Sequence, residues 1–245
     1  QRAEPATDAP AVFHITHWKA GSQWIYRILK ACDPDRVVAP EVFEAKMAWG
    51  AQAGKIYPTV YLNRYDFLRL RKPGNWRHFV VIRDLRDTLV SAYFSMKISH
   101  PLITQELPRL RTALNSMSEE EGMLYLMDEW LLPSARIQQS WLEADEPFIR
   151  YEDLLDHDAE ILETVLLDRC GLAISRGRLR EVIEESRFER ITGGRRRGNE
   201  DITAHERKGI WGDWKNHFTS RMKRVFKVRF GSLLIAAGYE QDLNW

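Results

Sequence analysis

A lysine and a glycine stand where a short apolar segment passes into an amphipathic one. Residues 14–32 read HITHWKAGSQWIYRILKAC, and Lys19-Ala20-Gly21-Ser22-Gln23 within them offers an ammonium group, a hydroxyl and several backbone amides. The first amides of a helix have no partner inside the helix and carry partial positive charge, so anions bind there. The pattern therefore predicts a phosphate site, although a capped helix beside a surface lysine would give the same pattern.

Three apolar runs are suited to the buried strands that would position this loop. A helical pattern follows each of them: AVFHIT at 11–16, HFVVIR at 78–83 and PFIRYE at 147–152. Strands that alternate with helices indicate a single three-layer α/β domain, with a central parallel sheet flanked by helices. Ligands of such sheets bind beyond the carboxyl ends of the strands. One rim is therefore expected to carry 17–23, 83–91 and 151–153.

Capping residues and periodicity predict where the helices lie. Ser22 is expected to cap the first helix, and Asp84 with Asp87 three residues later resembles a capping box. The polar, glycine-containing segment 189–213 is long for a loop of a compact domain, so it is expected to be functional or partly disordered. Further helices are predicted over 119–144, 175–187 and 219–237.

Composition limits the class of protein. Of 245 residues, 44% are hydrophobic and 29% are charged, which is ordinary for a globular chain. The net charge of +1 gives no support to a nucleic-acid partner. Cys32 and Cys170 are too few and too far apart for a disulfide framework or a zinc site, so we expect a cytoplasmic protein without a metal. No apolar run is long enough to span a bilayer, and 1–10 should be a flexible lead-in to a domain over 11–245.

Three further segments decide between the two interpretations of the lysine loop. They are, in order, IRDLRDTLVSAYFS at 82–95, IRYEDLL at 149–155 and RKGIWGDWKNHFT at 207–219. The first places Arg83 at a predicted strand end and Ser91 eight residues later. Together with the loop around Lys19, these segments resemble the sulfotransferases that use 3′-phosphoadenosine 5′-phosphosulfate (PAPS). The resemblance extends over nearly the whole chain, and the last segment is particularly similar to the cytosolic branch.

The resemblance implies a P-loop-NTPase-like sulfotransferase fold and a donor with negative charge at two separate places. The residues that it assigns to the 5′-phosphosulfate are Lys19, Ala20, Gly21, Ser22, Gln23 and Trp24. Those that it assigns to the 3′-phosphate are Arg83, Ser91, Arg207, Lys208 and Gly209, and arginine suits phosphate because its planar fork meets two oxygens. Those that it assigns to the adenine are Trp24, Tyr151 and Phe188, with Ser186 at the edge of the base. The product would be adenosine 3′,5′-bisphosphate (PAP).

Each of these residues also has a structural interpretation. Trp24 fits a core position, and Tyr151 fits the end of a strand. Arg83 fits an ion pair with Asp84 at a helix cap, which contributes little. The triplet at 195–197 is interpreted as a solvated loop, with contact to an anionic acceptor as the alternative. Unrelated structural causes would not reproduce four motifs in the family's order. For these residues taken together, a donor-binding site is therefore favoured over separate structural roles.

Sulfuryl transfer needs positive charge at the leaving phosphate and a base for the attacking hydroxyl. Lys19 is predicted to stabilise the leaving oxygen. Counting back from Arg83 by the spacing of the cytosolic branch reaches Tyr61 instead of the histidine base of that branch. The carbohydrate-modifying branch uses a glutamate, which predicts Glu41 as the base, Glu44 as the second choice and His17 as the third. Glu41 fits equally well as an acid in the first turn of a helix.

The acceptor is expected to be an alcohol, a phenol or a sugar-like molecule. Aromatic density over 36–76 and 97–135 favours a ring-bearing acceptor, whereas a glutamate base would favour a sugar. The candidate aromatic residues of the acceptor pocket are Trp49, Tyr57, Tyr61, Tyr65, Phe67, Trp76, Tyr125 and Trp130.

Two other functions compete with this interpretation: a kinase, disfavoured by the lack of a Walker sequence, and a non-catalytic nucleotide-binding module. Ser220 and Arg224 replace residues of the dimer motif of the cytosolic branch, so that dimer is not expected.

Overall fold

A computed structural model describes residues 8–40, 50–101 and 106–245 of the chain. Within these residues, four strands form one parallel sheet in the spatial order β2-β1-β3-β4. The strands are β1 at Ala11–Thr16, β2 at Ile56–Val60, β3 at Trp76–Ile82 and β4 at Phe148–Arg150. The predicted α/β class, a parallel central sheet flanked by helices in the P-loop-like fold, is confirmed.

Helices surround the sheet and follow the strands along the chain. The first is α1 at Ser22–Cys32, and a π-helical turn at Ser95–Ser99 directly follows α3 at Leu85–Phe94. A second π-helical segment, Glu163–Arg169, continues α7 at Tyr151–Leu162. The remaining helices are α2 at Arg64–Arg69, α3 at Leu85–Phe94, α4 at Leu107–Asn115, α5 at Glu119–Glu129, α6 at Leu131–Leu142, α7 at Tyr151–Leu162, α8 at Arg176–Glu185, α9 at Phe188–Ile191, α10 at Trp214–His217 and α11 at Ser220–Ala236.

Strand β1 occupies the centre of the structure because both of its faces are covered. Val12 belongs to the cluster that includes Ile25 and Ile28 of α1, whereas its neighbour Phe13 packs on the opposite face with Phe67. This alternation follows from the two-residue period of a strand. All six residues of β1 are buried, so the loop that follows the strand leaves from a rigid position.

Strand β2 was not predicted, and its proline explains why. Ile56–Val60 reads IYPTV, and a proline inside an apolar run argues against a strand, because proline cannot donate to the ladder. The strand lies at the edge of the sheet, where a missing donor on the outer side is tolerated. No helix within the described residues is both long enough and apolar enough to cross a membrane.

Several predicted boundaries differ from the structure. Ser22 does not cap α1, because Gly21 is the N-cap residue and adopts a left-handed conformation with φ of 80°. Asp84 caps α3 as expected, by accepting from the amide of Arg86. Asp87 does not complete a capping box and instead accepts from the amides of Gly212 and Trp214. The helix predicted over 119–144 is interrupted at Trp130, which separates α5 from α6.

The packing of β1 predicts a large loss of stability when Phe13 is truncated. Its ring is fully buried, stacks on Tyr57 at 5.0 Å between centroids and meets Phe67 edge-on at 5.3 Å. Phe13→Ala should lower the free energy of unfolding by about 3–5 kcal/mol in urea denaturation. Val228→Ala, at a side chain that is 87% exposed, should change it by less than about 0.5 kcal/mol. A loss near 1 kcal/mol for Phe13→Ala would contradict this description of the core.

Candidate functional site

An open cleft lies where β1, β3 and β4 end, and it encloses about 1230 Å³, part of it open to solvent. Every residue that the sequence assigned to the donor lines this cleft except Ala20, which is fully buried. Segments separated by more than a hundred residues along the chain therefore meet at one rim. This is the rim at which a parallel sheet of this class binds its ligands.

The loop between β1 and α1 turns through two left-handed residues. Lys19 has φ of 65° and Gly21 has φ of 80°. A Cβ atom on Gly21 would lie 2.6 Å from the ring of Tyr151, so this position needs glycine both for its backbone conformation and for the close approach of the ring. Gly21, Ser22 and Gln23 line the cleft, so the turn brings the start of α1 to the rim, and the first amides of a helix are an anion-binding arrangement.

Lys19 places an ammonium group at this rim, where a hydrogen bond to a neighbouring hydroxyl holds it. Its Nζ donates to Oγ of Ser95 at 3.1 Å, in the π-helical turn that follows α3. Burial, together with the nearby charges of Arg83 and Arg207, lowers the pKa of Lys19 to about 8. The group is therefore charged at neutral pH but loses its proton at a more moderate pH than an ordinary lysine does.

Arg83 connects the end of β3 to the lysine loop. Its guanidinium donates to the carbonyl oxygen of Lys19 at 2.8 Å and lies 4.7 Å above the ring of Tyr151. Its Nε is buried and has no hydrogen-bond partner among the described residues. A buried donor without a partner is costly unless a ligand supplies the acceptor. Arg83 is therefore poised for an anion at the cleft.

Arg207 and Lys208 are aligned by the carboxylate of Asp213. Arg207 donates to one oxygen at 2.5 Å and Lys208 to the other at 2.7 Å. Burial alone would raise the pKa of Asp213, but hydrogen bonds from His217, Lys208 and Arg207 hold it well below its ordinary value. Asp213 thus stays ionised and keeps both cations in place at the edge of the cleft.

Aromatic rings form the walls of the cleft. Trp24 meets Tyr151 edge-on at 6.3 Å between centroids, and Phe188 packs so closely on Gly209 that a Cβ there would lie 2.6 Å from the ring. The indole Nε1 of Trp24 is buried without a hydrogen-bond partner among the described residues. Flat rings beside cationic groups suit a ligand that joins a planar base to phosphates.

The segment 189–213 covers one side of the cleft and is braced by arginine. Arg195 donates to the carbonyl oxygens of Glu206 and Arg207, and its guanidinium lies 4.9 Å from the ring of Phe188. Arg197 lines the cleft and donates to the carbonyl oxygen of Leu155. The interpretation of 195–197 as a solvated loop therefore holds only for Arg196, which is exposed.

Comparison with known proteins identifies the family. The family model described as the sulfotransferase domain matches residues 9–238. The chain belongs to the sulfotransferase family. No curated protein sequence matches this sulfotransferase significantly.

Solved structures with the same fold include two kinds of enzyme. The mouse sulfotransferase SULT7A1 complexed with PAP has a TM-score of 0.64 and 16% identity, over 94% of this chain and 88% of that one. Retinol dehydratase with retinol and PAP has a TM-score of 0.56 and 15% identity, over 92% and 82% of the two chains. Its complex with androsterone and inactive cofactor PAP gives 0.55 and 16%, over 91% and 80%. At such identities the likeness establishes the fold.

Of the bases predicted from the sequence, only His17 lies within the described residues of the sulfotransferase. Its Nε2 accepts from the amide of Arg83 at 3.1 Å, which leaves Nδ1 protonated to donate to the carbonyl of Trp18 at 3.0 Å. The ring is fully buried and is not part of the cleft wall. His17 is therefore placed to position Arg83 rather than to take a proton from a substrate. Glu41 and Glu44 lie outside the described residues.

The acceptor pocket predicted from aromatic density is largely a part of the core. Tyr57, Phe67 and Trp76 pack around Phe13, because rings on strands and on a covering helix fill the space between layers. Tyr65 is 65% exposed. Trp49 lies outside the described residues, and neither Tyr125 nor Trp130 lines the cleft.

Different residues form the end of the cleft next to Lys19. Tyr61 follows β2, shares a hydrogen bond with Oγ of Ser22 at 2.9 Å and stacks on Trp18 at 4.7 Å between centroids. His100 and His205 also line the cleft there. The sequence predicted Tyr61 but not Trp18 or either histidine. Two signals pointed to His205: its place in the segment expected to be functional and its proximity to Arg207 along the chain. No local signal marked His100.

Within the described residues, no three side chains of the His, Cys, Asp or Glu types are placed to hold a metal ion.

The glycine at the turn predicts a sharp effect on ligand binding. Gly21→Ala adds a Cβ that collides with Tyr151 and strains the left-handed turn, so the affinity for PAP should fall at least about tenfold in calorimetry. Gly74→Ala is the matched control, because nothing lies within 4 Å of its Cβ position. Wild-type affinity in Gly21→Ala would show that the contact between the loop and the ring is not needed.

Proposed function

We propose that this protein transfers the sulfuryl group of PAPS to a hydroxyl of a small acceptor. Family membership supports sulfuryl transfer, and the observation that carries the proposal is the gathering of cations around aromatic walls in one cleft. Lys19, Arg83, Arg207 and Lys208 all line this cleft, and we assign Lys19 with the start of α1 to one anionic end of the donor and the other three cations to the second. PAPS carries charge at its 5′ and 3′ ends with a planar base attached, which matches this arrangement.

Each part of the cleft then has a task. The amides of the loop and of the first turn of α1 would hold the 5′-phosphate, and Arg83, Ser91, Arg207 and Lys208 would hold the 3′-phosphate. The rings of Trp24, Tyr151 and Phe188 would enclose the adenine, and Ser186 would meet its edge. These side chains line the cleft together, and most are positioned by contacts within the protein.

Lys19 is suited to assist departure of the leaving group. As the bond between sulfur and the phosphate oxygen breaks, negative charge grows on that oxygen. An ammonium group beside it stabilises the transition state more than the ground state, which is the condition for catalysis. The hydrogen bond to Ser95 holds the ammonium group at the cleft before the ligand arrives.

The wall beside Lys19 favours a ring-bearing or apolar acceptor over a sugar. Trp18 and Tyr61 stack there and present flat surfaces, and such surfaces bind apolar molecules by removing them from water. Retinol dehydratase, which shares the fold, was crystallised with retinol and with androsterone. An alcohol or phenol of that general character is therefore the preferred acceptor class.

The two competing functions have less support. A kinase would need a phosphate loop of the Walker type and a magnesium site, and Lys19 precedes its glycine instead of following a spaced one. A non-catalytic nucleotide-binding module has no specific observation in its favour, whereas family membership supports sulfuryl transfer. Cleavage of PAPS without ATP turnover would separate all three functions.

Nucleotides that differ by one phosphate provide the most direct test. PAP should bind at least about tenfold more tightly than adenosine 5′-phosphate, which lacks the 3′-phosphate. Lys208→Gln should reduce the ratio of the affinity for PAP to the affinity for adenosine 5′-phosphate, because a charge-assisted hydrogen bond to phosphate contributes about 1.5–3 kcal/mol. Lys215→Gln is the matched control, since Lys215 is an exposed lysine of the same region that does not line the cleft. Equal affinities for the two nucleotides in the wild-type protein would refute the donor site.

The lowered pKa of Lys19 predicts that affinity for PAP depends on pH. Below the pKa of about 8 the side chain is charged and attracts the anion, and above it the charge is lost. Calorimetry from about pH 7 to about pH 9.5 should show affinity falling by up to about tenfold per unit at the alkaline end. Lys19→Arg keeps its charge throughout and should remove the decline. If the affinity of Lys19→Arg for PAP declined with the same slope, the pH dependence would belong to another titrating group.

A further inference from the structure

Two imidazoles lie at the end of the cleft that carries Lys19. His100 follows the π-helical turn after α3, and His205 lies in the segment 189–213. Both line the cleft with Lys19, Trp18 and Tyr61, and both are close enough to Lys19 for its charge to lower their pKa values. Titratable groups of this kind beside a site of group transfer are candidates for moving protons.

The backbone of His100 is fixed relative to Lys19 by a single shared residue. Ser95 accepts from Nζ of Lys19 through its hydroxyl at 3.1 Å and from the amide of His100 through its carbonyl at 2.6 Å. Arg111 of α4 holds the carbonyl oxygens of Met96 and His100 at 2.9 and 2.6 Å. π-Helical turns often occur at functional sites. Here the turn Ser95–Ser99 carries His100 to the cleft wall.

The surroundings of His100 disfavour the protonated form of its ring. Burial lowers its pKa from the ordinary value of 6.5, and the charges of Lys19, His205 and Arg111 lower it further. Among the described residues, these charges lie in the loop after β1, in the segment 189–213 and in α4. An imidazole that is unprotonated at neutral pH can accept a proton, which a protonated one cannot do.

We propose that His100 is the general base of the transfer, an inference that rests on the proposed function. A neutral ring nitrogen of His100 takes the proton of the acceptor hydroxyl as its oxygen forms a bond to sulfur. The bond between sulfur and the 5′-phosphate oxygen breaks, and that oxygen keeps the electron pair beside Lys19. The products are the sulfate ester and PAP, and the imidazolium then releases its proton to solvent.

Other groups at this end of the cleft are less well placed. Both ring nitrogens of His17 already have hydrogen-bond partners, and the ring is not part of the wall. The hydroxyl of Tyr61 shares a hydrogen bond with Ser22 of the donor loop. His205 lies on an exposed turn beside the carboxylate of Glu206, which opposes the effect of Lys19 on its pKa. His205 is therefore the alternative that the experiment must separate.

The test compares His100→Gln with His205→Gln in the full chain. Donor cleavage is measured as release of PAP from PAPS with benzyl alcohol as the probe acceptor and, separately, with water as the only acceptor. His100→Gln should lower kcat by about 10²–10⁴-fold and leave the affinity for PAP within about twofold of wild type. His205→Gln should have a much smaller effect. His157→Gln, at an exposed histidine outside the cleft, should leave both quantities unchanged.

Two further readouts distinguish a base from a structural residue. In the wild-type protein, kcat/KM should rise with pH through an apparent pKa lower than that of an ordinary histidine, and this acid limb should disappear in His100→Gln. Added imidazole should restore part of the turnover of His100→Ala in proportion to its concentration, because a small base can enter the vacated space. Loss of packing alone would produce neither result.

Several outcomes would overturn the proposal. Wild-type turnover in His100→Gln, a loss confined to His205→Gln, or a loss confined to Glu41→Gln would each assign the proton transfer elsewhere. Loss of PAP affinity in His100→Gln would make the residue part of donor binding. A wild-type protein that neither binds PAP nor cleaves PAPS would instead remove the proposed function, and with it the reaction that needs a base.

Discussion

Arg83 joins the carboxyl ends of two neighbouring strands, and the cleft depends on this connection. Its amide donates to His17 and its guanidinium donates to the carbonyl of Lys19, so both partners belong to the loop after β1. Because β1 and β3 pair directly, with Thr16 opposite Val81, the two loops leave the sheet side by side. The loop cannot shift without disturbing Arg83. One residue therefore fixes the geometry of the rim through its backbone amide and its side chain, and the side chain contributes charge as well.

Concentrating positive charge in this way has an electrostatic cost. Besides burial, Arg83 and Arg207 lower the pKa of Lys19, which means that the cations repel one another in the free protein. Carboxylates around the cleft offset part of this repulsion, and Asp213 does so by accepting from Arg207 and Lys208. A polyanion would relieve the remainder, so the same arrangement that destabilises the free protein favours binding.

Much of the sheet and of the cleft was predictable because the signals are local. Each strand end with its following loop occupies a short segment, and the topology of a parallel sheet brings such segments together without further information. The edge strand β2 was missed because Pro58 is informative only when the position of the strand in the sheet is known. Aromatic residues misled the prediction of the acceptor pocket, because Tyr57 and Phe67 would have the same sequence signature in a core or in a pocket. His100 approaches Lys19 only through the tertiary fold.

Two walls of the cleft share one construction: an aromatic ring pressed against a glycine. Tyr151 lies on Gly21 and Phe188 lies on Gly209, each too close for a Cβ atom. Both glycines also have positive φ, 80° at Gly21 and 66° at Gly209, so a smaller ring would remove the collision but not the backbone strain of any other residue. In each pair the ring is therefore expected to vary in evolution before its glycine does, and the cleft to be reshaped from its aromatic side.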